Sequence, residues 1–220
     1  MRKVLDFLTQ LSKNNNKAWF DAHKDEYLAM KARFESCAER IIAGIGEYDA
    51  EVRNLQVKDC TYRIYRDLRF STDKTPYKTH MGLFMVKGGK KSGNAGYYFH
   101  LQANGESFLW AGLHCPEPAM VRSVREEISL DGDLYVEALE KAVGFELDKS
   151  DSLKRVPYEY PSDSPYAELL KLKSFGVTKV LDEDYLATED FAVRVADEFR
   201  GVQPLVGLLN RAVEYAREMF

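Results

Sequence analysis

The spacing of apolar residues changes twice along this chain, from steps of three and four to steps of two and back. That pattern limits the fold to helices on either side of a mid-chain sheet. Val4, Phe7, Leu8 and Leu11 predict a short amphipathic helix that stops at Asn14-Asn15-Asn16, where side-chain amides favour turns and caps. Asn16 is then a natural cap for a second, long helix. Its stripe of Tyr27, Met30, Phe34, Cys37 and Ile41 runs to about Gly44 or Gly46.

From residue 60 the period is two. In TYRIYRDLRF, Tyr62, Ile64, Leu68 and Phe70 point one way and Arg63, Tyr65, Asp67 and Arg69 the other, with Arg66 interrupting the apolar face. The strand signal recurs at 81–87, 95–104 and 106–113, with Asn104-Gly105 as a tight hairpin turn. The connection 87–96 is Gly-rich and basic, as an exposed loop would be. Helical spacing then returns. Val121, Val124 and Ile128 follow two prolines, and Tyr135, Ala138, Leu139 and Ala142 precede Gly144. Ser164-Pro165 opens a helix ending near Gly176, Thr188 caps one burying Ala192, Val195, Ala196 and Phe199, and Pro204 opens the last. The expected class is α+β: a central antiparallel sheet of about four or more strands, flanked by N-terminal helices and a C-terminal helical half. No Pro/Gly/Ser-rich linker divides the 220 residues, so one domain over 1–220 is expected.

No apolar run approaches the roughly 20 residues that a membrane-spanning helix needs, and no export signal is read at the start. Cys37, Cys60 and Cys115 form no CxxC pair, which fits a reducing cytoplasm. His23, His80, His100 and His114 lack HxH or HExxH spacing, so no dedicated metal site is expected, and no cofactor is named. Nine basic residues stand against three acidic between Lys58 and Lys91, a local +6 in a chain of net charge −4 that leaves −10 elsewhere. One segment is electropositive within an acidic protein.

That segment carries Arg63-x-x-Arg66-Asp67-x-Arg69-Phe70-x-x-Asp73-Lys74-x-x-Tyr77. Together with NNNKAWFDAHKDEY, PYKTH and YPSDSPYAELLKLKSF, it resembles the signature of a sparsely distributed bacterial family of about this length, a domain of unknown function. The resemblance covers most of the chain and implies a bacterial single-domain protein. It implies no activity.

The chemistry therefore rests on residue types. Arginine offers a rigid fork of donors to phosphate or carboxylate oxygens, and Asp67, on one strand face with Arg63 and Arg69, can pin one guanidinium while leaving the other free. Arg63, Arg66, Arg69, Asp73, Lys74, Tyr77, Lys78 and His80 are the candidate ligand-binding residues; Asp67 and His100 are the candidate proton-handling pair. From 63 to 78, five cations face two carboxylates, which leaves three without a partner inside the segment. Three readings stay open: a site for an anionic small molecule, as enzyme or binder; a nucleic-acid contact using Tyr62, Tyr65 and Tyr77 as stacking groups; and a purely structural Arg/Asp brace.

Overall fold

A computed structural model describes residues 1–219. Helices α1 (Arg2–Lys13), α2 (Lys17–Ala22), α3 (Lys24–Ile45) and α4 (Val57–Cys60) precede strands β1 (His80–Val86), β2 (Gly96–Gln102) and β3 (Phe108–Leu113). Helix α5 (Pro118–Lys141), β4 (Glu146–Leu147), α6 (Ala167–Leu170), β5 (Phe175–Val180), α7 (Glu183–Ala187), α8 (Phe191–Arg200) and α9 (Gln203–Met219) follow. The strands form an open antiparallel sheet of order β1-β2-β3-β5-β4, which makes the fold α+β.

The chain forms two compact units. The first comprises Met1–Met85, Tyr98–Leu109 and Val180–Ala196. Its core is the apolar stripe of α1 (Val4, Phe7, Leu8, Leu11), the long stripe of α3, and the inward strand residues Leu83, Phe99, Leu101 and Leu109. Phe99 lies 6.0 Å from Phe34 and 5.3 Å from Phe191, ring centre to ring centre. Asn16 caps α2 by accepting from the Trp19 amide at 3.0 Å. The long helix expected from Asn16 is broken at His23, which leaves helical geometry (φ −111°, ψ 20°). Its Nδ1 lies 2.8 Å from the Trp19 carbonyl, which also accepts from the His23 amide (3.1 Å), and its ring stacks on Trp19 at 4.0 Å.

The second unit comprises Val86–Tyr97, Trp110–Lys179 and the chain from Asp197 onward. Its α5 and α9 stripes are buried, and the Ser123 hydroxyl donates to the Ala212 carbonyl at 2.8 Å. Asn210 on α9 binds both backbone groups of Ala95 (2.8 and 3.1 Å). The two helical runs expected on either side of residue 131 are both present in α5, divided at Asp131, which leaves helical geometry (φ −146°, ψ 47°). The helix expected from Ser164 to Gly176 is reduced to one turn, and FGVTKV enters the sheet as β5 instead. Val177, Thr178 and Val180 suit the pleated surface, and short apolar runs of this kind fit either element.

The hairpin turn is as expected: Asn104 (φ 63°) and Gly105 (φ 75°) are both left-handed. The strand expected over 60–70 is not a regular strand. Only isolated antiparallel bridges form, Thr61 with Leu83 and Tyr65 with Tyr77. Beyond Arg66 the carboxylates bond to their own loop: Asp67 accepts from the Arg69 amide at 3.2 Å and Asp73 from the Thr75 amide at 2.9 Å. Local bonds of this type compete with a sheet ladder, and here they replace it.

Candidate functional site

The central motif folds back on itself as a flap at the start of β1. The Arg66 amide donates to the Pro76 carbonyl (3.0 Å) and the Lys78 amide to the Ile64 carbonyl (2.8 Å). Asn15 anchors its base, with the side-chain amide donating to the Tyr77 carbonyl (2.9 Å) and its oxygen accepting from the Tyr77 amide (3.1 Å). Tyr77 is 4% exposed and its ring stacks on Phe20 at 4.0 Å, so it serves packing and is unavailable to stack on a ligand. Asn15→Ala removes two bonds to backbone that is shielded from water. It is expected to cost about 2 kcal/mol, read as a lower urea midpoint at unchanged slope.

The motif's charges divide into two groups. Arg66 donates to Asp73 and Thr75, and to the Ser71 hydroxyl at 3.3 Å. Arg69 grips Asp67 through Nη2 (2.6 Å) and Nε (3.0 Å). Lys74 donates to the Leu68 carbonyl at 3.1 Å. These are internal ties of the loop 66–75. The Thr75 amide, the Arg66 guanidinium and the Thr75 hydroxyl together hold the Asp73 carboxyl down to about 2. A carboxylate depressed on folding stabilises above its unfolded value and loses that contribution as pH falls toward the folded one. The loop is therefore expected to stay closed at pH 5 and to open between about pH 4 and 2, seen as loss of the protected Thr75 amide signal by NMR. Retention of that signal at pH 2 would contradict the assignment.

Arg63 and Lys78 form the other group: neither makes an ion pair with a carboxylate among the described residues, although the Arg63 charge helps to hold the Asp67 carboxyl down. Lys78 is half-buried, with Nζ 5.2 Å from the Tyr62 ring centre, and burial, then the Arg63 charge, pushes its ammonium down. Both line a small cleft of about 30 Å³, together with Tyr27, Glu35, Tyr62 and His80. Its floor is formed by the β1 residues His80, Met81 and Gly82. Here Gly82 leaves room for the Tyr98 hydroxyl, which would lie 2.7 Å from a Cβ at that position.

His80 and His100 meet on the sheet face with ring centres 4.5 Å apart, and Phe108 stacks on the far side of His100 at 4.6 Å. The bonds of His100 fix the tautomer of its neutral ring. Gln102 donates its amide to Glu106 and accepts at Oε1 from His100 Nε2 (3.0 Å), so Nδ1 accepts from the Tyr98 hydroxyl (2.9 Å). The imidazole is neutral. Burial pushes His100 down, opposed by the Gln102 bond and the Glu106 charge, and burial pushes the Tyr98 phenol up. His80 has no hydrogen-bond partner for its ring among the described residues. Burial, then the His100, Lys78 and Arg66 charges, pushes it down to about 4.

Of the sequence-predicted residues, Arg63, Lys78 and His80 come together at the cleft, with His100 beside His80. Arg66, Asp67, Arg69, Asp73 and Lys74 bond within the loop, and Tyr77 is buried beneath it. No hydrogen bond joins Asp67 to His100. Phe34 and Gly82 at the cleft are additions that the sequence reading did not assign there. A lone glycine inside an apolar strand was the available signal for Gly82, because it marks a close approach.

Fold and cleft thus define a class: an α+β protein in which Arg63 and Lys78 line a cleft beside His80, whose ring lies against His100. The chain belongs to the conserved hypothetical protein family DUF2461, whose model matches residues 3–207. No curated protein and no solved structure matches it. Among the described residues, no helix is long and apolar enough to cross a membrane.

Proposed function

We propose that the cleft lined by Arg63, Lys78 and His80 is the site of an anionic, phosphate-like ligand or substrate. The observation that carries this reading is Lys78, a half-buried ammonium without a carboxylate, held against an aromatic ring and a second cation. Partly desolvated charge is costly unless paired, and an arriving anion supplies the pair. Tyr62 and Lys78 give one wall, Arg63 an exposed fork at the rim, and the neutral His80 the floor, with His100 against its ring. In this reading Arg66 and Arg69 act through position, with Asp73 and Asp67 holding the flap that carries Arg63 and Lys78. The neutral imidazoles are the groups suited to proton transfer if the site is catalytic.

The test is a thermal-shift panel of phosphorylated metabolites against the wild type and Arg63→Ala. Stabilisation of the wild type by at least one compound, reduced in the variant, supports the reading. No response to any compound, or an equal response in both proteins, removes it. Phe70, 96% exposed beside Arg69, favours single-stranded nucleic acid as a second reading. That reading requires low-salt affinity that falls steeply with added salt.

A further inference from the structure

His80 is a polar side chain without a protein partner at the floor of the cleft, and this places it apart from the other histidine of the sheet face. His100 spends both ring nitrogens on Tyr98 and Gln102. His80 spends neither, although it is half-buried and in ring contact with His100. Together with Arg63 and Lys78 it makes three donor groups, from residues 63, 78 and 80, around one space. A carboxylate has two oxygens in one plane; a tetrahedral oxyanion offers three or more in different directions, one for each donor.

We propose that His80 is the third donor of the site, and that a tetrahedral dianion, as on a phosphate monoester, is taken up together with one proton on this imidazole. The inference rests on the anion-site reading above and names its ligand class. Charged and titratable groups surround His80 on every side. Lys78, Arg63, Arg66 and Tyr62 come from the flap, the Lys31–Glu35 pair (3.0 Å) and Tyr27 from α3, and Tyr98 and His100 from β2. Burial is the largest influence that keeps the His80 imidazole neutral, and the His100, Lys78 and Arg66 charges add to it. A dianion beside the ring favours the charged imidazole and so acts against both.

Sulfate tests this directly, because it is a tetrahedral dianion that does not titrate near neutrality. If binding returns His80 from about 4 to roughly its ordinary value of about 6.5, sulfate affinity rises about tenfold from pH 7.5 to 5.5. Calorimetry in two buffers of different ionisation enthalpy should show roughly half a proton taken up at pH 6.5. His80→Asn is expected to bind sulfate more weakly and without the pH slope; His80→Gln provides the same comparison should the first variant fold poorly. Acetate at equal ionic strength is expected to bind at least tenfold more weakly. Sulfate binding that is flat with pH in the wild type, or a slope retained without His80, overturns the role of His80 while leaving an anion site. Equal binding of acetate overturns the tetrahedral class. No sulfate binding at any pH overturns the anion-site reading itself and this inference with it.

Discussion

Arg63→Ala/Lys78→Ala is expected to bind inorganic phosphate roughly 100-fold or more weakly than the wild type by calorimetry, while melting at or above the wild-type temperature. The affinity figure follows from removing two charge-assisted contacts worth about 1.5–3 kcal/mol each in a partly desolvated site. The second half separates a ligand site from a brace. A brace residue is paired, so truncation strands its partner and the fold weakens. Lys78 strands nothing: its ammonium has no carboxylate among the described residues, and burial together with Arg63 already disfavours its charge. Removing an unfavourable charge leaves stability unchanged or raises it by up to about 1 kcal/mol, as is usual where function sets the residue. Arg69→Ala is the control. Its exposed pair with Asp67 lies in the loop, and its loss should change phosphate affinity less than about threefold. A double variant that unfolds at low temperature, or binds phosphate normally, contradicts the assignment.

Gly112→Ala should be the most destabilising single methyl in the second unit. Gly112 sits in β3 at φ 145°, and a Cβ there would lie 2.1 Å from the Phe175 carbonyl oxygen and 2.5 Å from the Gly176 Cα. Both obstacles are backbone of β5, so no side-chain rotation relieves them. Either the β3–β5 pairing spreads or the backbone leaves its conformation, and the expected cost is about 3–5 kcal/mol. For a chain of this length that corresponds to a fall in melting temperature of roughly 6–20 °C. A fall below about 2 °C would show that the two strands do not approach as closely as described.

The fold class was legible because period is a property of the chain itself. The stripes of α1, α3 and α9 and the alternation of β2 follow from which residues must face a core. What escaped was set by contacts the period does not carry. His23 leaves helical geometry with its ring folded back on Trp19, although nothing in the apolar stripe breaks there. FGVTKV joins the sheet although the preceding Ser164-Pro165 signals a helix. The stretch 60–70 alternates like a strand, but Asp67 and Asp73 tie it into a loop.

At the candidate site the surplus of positive charge was countable, five cations against two carboxylates between 63 and 78. Which cations remained could not be counted. Arg66 and Arg69 take the two carboxylates, Lys74 a carbonyl, and Arg63 and Lys78 are left facing the cleft. Tyr77 looked like a stacking group and is a buried plate under Phe20, whereas His80 gained its place only when β1 brought it against His100.

The most direct measurement is a crystal structure of the protein soaked in tungstate, a heavy tetrahedral dianion visible by its anomalous scattering. The account predicts one strong peak within hydrogen-bond reach of the Arg63 guanidinium, the Lys78 ammonium and the His80 ring. A cleft without a peak, with Arg63 and Lys78 turned onto carboxylates of the same chain, would contradict it.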